Sequence, residues 1–279
     1  MLKGEGIAGS PELTQEDFRA LRRIMQSASG IELPDEKRYL IIHRLGKRLR
    51  AHGLPNFGDY LLLVRRDPLE RQTLVDLLTT NETWFFREPG HFDWLGRVCR
   101  EKRGGLRVWS AASSTGEEGF SIAMTLAENS LTRNWEVLGT DVSHSVVERA
   151  NTGLFSAKAL DSIPREYLKK YWLKGVGEQE GYIMAKPELR ERVSFRVANL
   201  NERLPTTVGS FDVAFLRNVL IYFTTEGKQR LVRNVLERVK TGGLLMVGHS
   251  ESLFGLDLPL KQLAPAVYQK VHSGPAEIN

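Results

Sequence analysis

The sequence lacks the features of a secreted or membrane-spanning protein. Its 279 residues include one cysteine, Cys99, which excludes a disulfide framework within the chain and suits a reducing cytosol. No apolar run approaches the length of a membrane span, and the first residues contain no apolar core resembling a signal peptide. We therefore expect a cytoplasmic protein that does not insert directly into a membrane.

Metal-binding spacings are also missing. The six histidines form no HxxxH or HExxH pattern, and a single cysteine provides no paired thiolates, so we expect no protein metal site. What is present is an ordinary globular composition, with 41% hydrophobic and 26% charged residues. The length is sufficient for one large α/β domain with a small companion.

The apolar periodicity divides the chain into two parts. The first part shows helical spacing without a strand pattern, and helices are predicted to begin at Thr14 and at Pro34-Asp35. After residue 105, short apolar runs alternate with helical patterns, which is typical of an α/β domain. We predict an all-helical domain over 12–78, a linker over 79–91 and an α/β domain over 92–279.

A strongly basic segment lies inside the helical part. Residues 37–50 contain six cations and no carboxylate. Ile41, Leu45 and Leu49 recur there every four residues, which predicts an amphipathic helix with one core face and one cationic face. Three interpretations stay open from the residues alone: a solvated basic face, a surface for an acidic protein partner, or a nucleic-acid contact.

The most specific local pattern is LRVWSAASSTGEE at 106–118. It predicts a buried strand, a loop of small residues and a helix that begins at Glu117, so that a ligand can approach backbone N–H groups at the helix N-terminus. Asp141 follows Gly116 by 25 residues, after the next apolar run, and is placed to accept ribose hydroxyls. The alternative interpretation is that Ser114-x-x-Glu117 is only a capping box.

The composition of this loop bears on the choice of nucleoside. The dinucleotide fingerprint GxGxxG uses glycines for close approach of a pyrophosphate, whereas here Ala112 and Ser114 precede a single glycine, Gly116. S-adenosylmethionine has no phosphate and carries an ammonium and a sulfonium, so small side chains and nearby carboxylates suit it. The loop therefore suits S-adenosylmethionine better than a dinucleotide, while the capping box stays the alternative.

The α/β part predicts a mostly parallel sheet. Strands are expected at 106–110, 135–139, 193–197, 211–216, 244–247 and 266–271, the last returning antiparallel at the sheet edge. Helices are expected at 117–129, 143–151 and 225–240, the last ended by Gly242-Gly243. Residues 172–192, punctuated by glycines, predict a small inserted β-subdomain.

Several polar residues follow these strands directly. The loop Ser110–Gly116, Asp141, Asn199 and Asn218 all come at carboxyl ends of predicted strands. In open parallel sheets, ligands bind outside the carboxyl ends of the strands. This convergence favours the cofactor interpretation of the loop over the capping box.

Five segments of the chain resemble, in the same order, the chemotaxis receptor methyltransferases, which use S-adenosylmethionine to methylate glutamate side chains of chemoreceptors. The segments are TTNETWFFRE (79–88), VWSAASSTGEEGFSIAM (108–124), GTDVSHSVVERA (139–150), FDVAFLRNVLIYF (211–223) and GGLLMVGHSES (242–252). The resemblance extends from about residue 14 to 271. It implies a Rossmann-like S-adenosylmethionine methyltransferase sheet with an all-helical N-terminal domain. It also implies glutamate methyl esters and S-adenosylhomocysteine as products.

The resemblance further implies a set of site residues. The cofactor would be bound by Asn81, Thr83, Arg87, Glu118, Asp141, Asn199, Leu200, Arg217 and Asn218. Arg87 would orient the incoming carboxylate and Tyr222 would close the pocket beside the methyl group, with ordinary core packing as the alternative for Tyr222. The family pattern, and not the spacing, selects Glu118 over Glu117.

Partners follow from the same resemblance. The basic helix would bind the acidic, helical methylation region of membrane chemoreceptors through Arg38, Arg44, Lys47 and Arg48. The β-subdomain resembles one that in some family members docks a receptor C-terminal peptide by strand addition, and the glycines of an ordinary hairpin are the alternative. We expect a monomer that does not bind nucleic acid.

Two other classes of protein have some of the same sequence features. A nucleic-acid methyltransferase would also join a basic surface to this cofactor domain. However, the loop Arg217-Asn218-Val219-Leu220 lacks the prolines common in enzymes that methylate base nitrogens. A cofactor-binding sensor without transferase activity is the other class, and the sequence alone leaves it open.

Overall fold

A computed structural model describes residues 11–272 of the chain. These residues form two compact units that divide between Thr80 and Asn81. Within 11–272, no helix combines the length and the apolar composition needed to cross a bilayer. Each unit is described by itself below.

The described part of the N-terminal unit, residues 11–80, contains four α-helices. They are α1 Gln15–Ser29, α2 Arg38–Ala51, α3 Phe57–Arg66 and α4 Pro68–Leu78. Side-chain oxygens of Thr14, Asn56 and Asp67 accept backbone N–H bonds at the starts of α1, α3 and α4, which satisfies donors that a helix leaves unpaired. The described part of this unit contains no strand, as the sequence predicted, and a 3₁₀ turn at Asp35–Lys37 leads into α2.

The C-terminal unit alternates strands and helices. The helices are α5 Gly90–Glu101, α6 Glu117–Asn129, α7 His144–Thr152, α8 Arg165–Tyr171, α9 Pro187–Arg190 and α10 Thr225–Leu236. The strands are β1 Leu106–Ser110, β2 Trp135–Asp141, β3 Leu154–Ser156, β4 Trp172–Lys174, β5 Tyr182–Ala185, β6 Val193–Val197, β7 Phe211–Leu216, β8 Val239–Val247, β9 Leu260–Ala264 and β10 Val267–Lys270.

Seven strands form the main sheet in the order β6-β2-β1-β7-β8-β10-β9. The pairs β6–β2, β2–β1, β1–β7 and β7–β8 are parallel, and β10 is antiparallel to both of its neighbours. The mostly parallel sheet with an antiparallel last strand is therefore confirmed. The expected edge position was wrong, because β10 inserts between β8 and β9, and the largely exposed β9 forms the edge.

The largest differences from the predicted boundaries are at the end of the helix predicted over 225–240 and at the start of the strand predicted over 244–247. Helix α10 ends at Leu236, and the chain enters β8 at Val239, so Gly242-Gly243 lies inside the strand instead of ending the helix. The register of β8 against β7 shifts there by several residues, and Gly242 has a φ of 79°, a conformation that glycine adopts without a steric penalty. The pair therefore marks a bulge in β8 rather than a helix stop.

The small sheet has the order β3-β5-β4 and is antiparallel. It includes residues 154–156, upstream of the predicted 172–192. Two aromatic side chains of the small sheet, Phe155 and Trp172, are buried. They pack against Phe85 and against Phe120 of α6, at centroid distances of 5.0–5.9 Å. This packing anchors the segment around Phe85.

Candidate active site

The site lies where the strand order of the main sheet reverses. The chain runs from β1 outward through β2 to β6, and from β7 outward through β8, so the reversal falls between β1 and β7. Loops that leave the carboxyl ends of two diverging strands form a crevice, which is the usual ligand position in open parallel sheets. The loops concerned are 111–116 after β1 and 217–224 after β7.

Arg217 lies at the centre of this crevice and is 5% exposed. Its Nη1 donates to Glu118 Oε2 at 3.1 Å, and its Nη2 lies 3.1 Å from Glu88 Oε2. Nη2 also donates to the carbonyl oxygen of Arg87 at 2.5 Å. One buried guanidinium therefore joins two carboxylates and the backbone of the 84–88 segment.

The two carboxylates differ in their protonation energetics. Burial raises the pKa of Glu118 above its ordinary value, although Arg217 and the Ser110 hydroxyl oppose the rise. Burial also acts to raise the pKa of Glu88, but Arg217, Asn218 and the His249 N–H together bring it below the ordinary value. Glu118 is thus a carboxylate whose negative charge is incompletely compensated by the protein.

A third carboxylate, Glu251, holds the loop after β7. It is 7% exposed and accepts the backbone N–H bonds of Asn218 at 2.8 Å, Leu220 at 2.7 Å and Gly248 at 2.6 Å. Asn218 has a φ of 57°, which is uncommon for a residue with a side chain. Glu251 therefore fixes the backbone that follows Arg217.

Strained backbone concentrates in the same loops. Five non-glycine residues within 11–272 have a positive φ: Phe86, Glu88, Ser114, Asn218 and Ala266. Ser114 and Asn218 lie on the two crevice loops, and Phe86 and Glu88 lie on the 84–88 segment, which Arg217 contacts. Such conformations cost about 1–3 kcal/mol each and persist where surrounding contacts determine them.

Arg87 lies between two of these strained residues. Its guanidinium lies over the ring of Trp84, 4.3 Å from the centroid, and Nη1 donates to the carbonyl of Glu82 at 3.0 Å. The segment is anchored to helix α6, because the Phe86 N–H donates to Ser121 Oγ at 3.0 Å, and the neighbouring Phe85 is 1% exposed. Arg87 is therefore presented by a rigid turn.

Asp141 is the last residue of β2, two residues beyond the predicted strand end. It is 8% exposed, and its carboxylate accepts the N–H bonds of Ser114 at 2.9 Å and Ser143 at 3.0 Å. The alternative interpretation, a capping box, is not supported, because Gly116 is the N-cap of α6 and makes no side-chain cap bond. Ser114 Oγ instead donates to the carbonyl of Asn81 at 3.1 Å.

The remaining predicted cofactor residues lie at neighbouring positions. Asn199 follows β6 and accepts the Asn201 N–H at 3.1 Å, while Leu200 is buried. Thr83 is half-buried on the 84–88 side of the crevice. Tyr222 ends a 3₁₀ turn, Leu220–Tyr222, in the loop after β7 and is half-buried.

The predicted receptor-binding cations have unequal surroundings in their own unit. Arg48 makes three bonds to Glu70, Arg44 Nη1 donates to the carbonyls of Leu77 and Thr79, and Arg38 donates to Gln15 and to the carbonyl of Leu13. Lys47 is exposed. Three of the four predicted cations therefore make structural bonds within the helical unit.

Sequence reasoning missed Glu88, Glu251 and His91. Glu88 and Glu251 stand inside the quoted segments TTNETWFFRE and GGLLMVGHSES, but nothing in the local pattern shows that they converge on Arg217 and Asn218. His91 is 1% exposed, and burial, with Arg217 nearby, lowers its pKa to about 4.

One cluster with metal-ligand chemistry occurs among the described residues. Potential ligand atoms of Glu88, His91 and His249 lie within 4.8 Å of one another. Glu88, however, is already paired with the Arg217 cation and bonded to the His249 N–H. The absence of a metal from the function therefore stays a prediction.

The donor set of the crevice fits S-adenosylmethionine. Glu118 and Glu88 share one buried cation, Arg217, and the nearby Glu251 carboxylate raises the pKa of Glu118 further, so a ligand with an ammonium and a sulfonium supplies positive charge that this cluster lacks. The buried Ser113 hydroxyl, in the loop after β1, has no hydrogen-bond partner within the described residues and is available to a ligand. The fold is that of an S-adenosylmethionine-dependent methyltransferase.

Comparison with known proteins gives the family. Residues 81–268 match the family described as "CheR methyltransferase, SAM binding domain", and residues 16–79 match "CheR methyltransferase, all-alpha domain". The chain belongs to the CheR methyltransferase family, and S-adenosylmethionine is its cofactor.

Its relatives include several chemotaxis protein methyltransferases. The one from Escherichia coli K12 is 38% identical over 92% of this chain and 91% of its own. The chemotaxis protein methyltransferase 2 of Pseudomonas aeruginosa is 36% identical over 91% and 93%, and the Borreliella burgdorferi protein is 32% identical over 92% and 95%.

Proposed function

We propose that this protein transfers a methyl group from S-adenosylmethionine to glutamate carboxylates of chemoreceptors, producing methyl esters and S-adenosylhomocysteine. The observation that carries the proposal is the Glu118–Arg217–Glu88 cluster at the reversal of strand order, in a chain whose relatives are chemotaxis protein methyltransferases. The products serve adaptation in chemotaxis or a related signalling pathway.

Cofactor binding is assigned to the residues around the crevice. Glu118 receives the ammonium of the methionine end, because burial leaves its carboxylate short of positive charge. The Asp141 carboxylate would accept hydrogen bonds from the ribose hydroxyls. The Ser114 and Ser143 N–H groups hold this carboxylate in its orientation. Asn199 and Leu200 frame the adenine, and Asn81, Thr83, Arg217 and Asn218 complete the walls.

The chemistry needs no general base. When bound, S-adenosylmethionine supplies a methyl group on a cationic sulfur, and a glutamate carboxylate is already ionised near neutral pH. Arg87 orients the acceptor carboxylate, and its stacking on Trp84 and bond to the Glu82 carbonyl limit its freedom. Tyr222 closes the pocket beside the methyl group. Charge disappears along this path, so water exclusion and alignment provide most of the acceleration.

Fewer cations of α2 face the receptor than the four that were predicted. Tyr39, His43, Lys47 and Arg50 are exposed and lie on one face, at spacings of four, four and three residues. Lys47 and Arg50 supply the attraction to an acidic receptor helix, and Arg38, Arg44 and Arg48 hold the unit together. Association should weaken with added salt.

A matched pair of variants tests this surface. Lys47→Glu should raise the KM for the receptor and reduce its salt dependence. Arg65→Glu makes the same charge change at an exposed position on α3 and should have little effect. Equal effects of the two variants would replace a defined contact with general charge attraction.

The small sheet is a second proposed receptor contact. Its glycines are accounted for by the hairpin, since a Cβ at Gly175 would meet the Gln179 carbonyl oxygen and Gly177 and Gly181 have positive φ. Tethering therefore relies on the outer edge of β4, where Leu173 is 47% exposed. Binding of a receptor C-terminal peptide to the monomeric protein tests it, and no saturation at millimolar peptide would refute it.

The central experiment is methyl labelling. The protein is incubated with methyl-labelled S-adenosylmethionine and membranes that carry chemoreceptors, and alkali is then added. Volatile labelled methanol is expected, because carboxyl esters hydrolyse in alkali. Alkali-stable label would indicate N- or C-methylation, including that of nucleic acid, and no label together with calorimetric binding of the cofactor would indicate a sensor.

A further inference from the structure

Three loops at the crevice are fastened to one another. Glu251 accepts N–H bonds from the loop after β7 and from Gly248 after β8. Glu88, in the 84–88 segment, accepts the His249 N–H at 3.2 Å and lies 3.3 Å from Asn218 Nδ2. The segments 84–88, 217–223 and 248–254 therefore form one rigid border around the predicted reaction position.

Each of these segments exposes one large apolar side chain. Trp84 is 42% exposed, Ile221 53% and Phe254 96%. A single exposed apolar residue is ordinary on a protein surface. Trp84 stacks on Arg87, Ile221 directly precedes Tyr222, and Phe254 lies on the third of these mutually bonded segments. Trp84, Ile221 and Phe254 are together called the apolar rim.

The exposure of Phe254 is not a result of a loose loop. The preceding Leu253 is 5% exposed, the Phe254 N–H donates to Ser252 Oγ at 3.1 Å, and the Leu256 N–H donates to the Leu253 carbonyl at 3.2 Å. Arg233 donates to the carbonyl and side chain of Asp257 further along. An ordered turn thus holds the Phe254 ring in solvent, at the cost of hydrating an apolar surface.

We propose that the apolar rim docks the apolar neighbours of the acceptor glutamate on an amphipathic receptor helix. This inference rests on the proposed function. The occupant follows from position, because an acceptor carboxylate that reaches Arg87 arrives beside Trp84, whose ring lies 4.3 Å from the Arg87 guanidinium. On a helix, residues three and four positions from the glutamate lie about 5–6 Å away and face the same side, so they meet the rim.

The rim also serves the chemistry. The reaction joins an anion and a cation into neutral products, so it is favoured in a site without bulk water. A glutamate flanked by apolar residues covers the rim and excludes water when it binds. A glutamate flanked by charged residues leaves the rim hydrated. The rim therefore favours methylation of receptor glutamates that have apolar neighbours.

The test compares Phe254 with an exposed apolar residue elsewhere in the same unit. Leu131, 60% exposed, precedes β2 and lies at the amino end of that strand, away from the carboxyl ends. Phe254→Ser should raise the KM for the receptor about tenfold, as expected for one lost aromatic contact, and should lower kcat because the rim then excludes water less well, with cofactor affinity changed little. Leu131→Ser should leave all three unchanged. Equal KM values for the wild type and Phe254→Ser would overturn the proposal.

A second readout does not depend on methylation. A photoreactive benzoylphenylalanine in place of Phe254 should cross-link to the receptor methylation helix more strongly than the same group in place of Leu131. Cross-linking without methyl ester formation would retain the rim and reject the transferase function. Ester formation with equal cross-linking from both positions would reject the rim alone. Cross-linking of position 254 to a second copy of the chain would replace the receptor helix by self-association.

Discussion

Two glutamates, one in each unit, pair with an arginine, and they differ in how the pair is completed. Glu70 in the helical unit is 2% exposed and accepts bonds from Arg48 Nε and Nη2 and from the Tyr60 hydroxyl, with His52 Nε2 at 3.2 Å. Glu118 in the α/β unit accepts the Ser110 hydroxyl and one nitrogen of Arg217, an arginine that it shares with Glu88.

The pKa values record this difference. Burial acts to raise the pKa of Glu70, but Arg48 and Tyr60 bring it below the ordinary value, whereas the pKa of Glu118 stays above it. A closed network stabilises the fold, and a network left short of positive charge is prepared for a cationic ligand. The variants below test that contrast, beginning with the largest expected effect.

Glu70→Gln should lower the free energy of unfolding by about 3 kcal/mol, because it breaks a buried ion pair and leaves the Arg48 guanidinium without its carboxylate partner. Chemical denaturation followed by circular dichroism measures this. The pKa of Glu70 lies below its ordinary 4.5, so the carboxylate's contribution is present above pH 4.5 and is lost as the pH falls through the folded value. The wild type and the variant should therefore converge in acid, and equal stability at pH 7 would contradict a structural role.

Arg87→Ala should lower turnover about 100-fold while cofactor affinity changes by less than about threefold, because the proposed role is alignment of the acceptor. Receptor methylation rates and calorimetry measure the two quantities. Arg97→Ala is the matched control, since Arg97 also lies over a tryptophan ring, that of Trp94, at 5.1 Å. Equal losses in turnover and affinity would make Arg87 a cofactor ligand instead.

Glu118→Gln should weaken cofactor binding about tenfold, as expected for one lost charged hydrogen bond. Its free energy of unfolding should not fall, because burial disfavours the ionised carboxylate in the empty site. Calorimetry with S-adenosylhomocysteine and S-adenosylmethionine, together with denaturation, separates the two effects. A loss of stability as large as that in Glu70→Gln would erase the contrast between the two glutamates.

His91→Phe should change the pH dependence of stability. The folded pKa of His91 is about 4, below its ordinary 6.5, so the unfolded chain takes up a proton first and the wild type loses stability as the pH falls from 6.5 towards 4. The loss from this group between pH 6.5 and 5.5 is about 1 kcal/mol. The variant should not show this loss of stability. Parallel plots of stability against pH for the two proteins would contradict the lowered pKa of His91.

Most of the secondary structure could be predicted from the residues alone. Strands β1, β6 and β7 were predicted with the bounds that the structure has. The buried β1 and β7 are mostly apolar, and the edge strand β6 alternates apolar and polar residues, so each carries a local signal. Strand β9, LKQLA, was not predicted, since it has neither an apolar run nor a regular alternation and none of its residues is buried. The Gly242-Gly243 pair misled for a related reason, as glycine marks both helix ends and bulges.

The sequence by itself determined most of the elements, the position of the loop after β1 and the family, because apolar spacing and collinear segments are encoded locally. Only the tertiary structure decided which charges remain for ligands. Arg38, Arg44 and Arg48 are bonded within their own unit, while Glu88 and Glu251, separated by more than 160 positions in the chain, meet around Arg217 and Asn218. A charge pair is a property of distance in space, and the spacing of residues along the chain does not contain that distance.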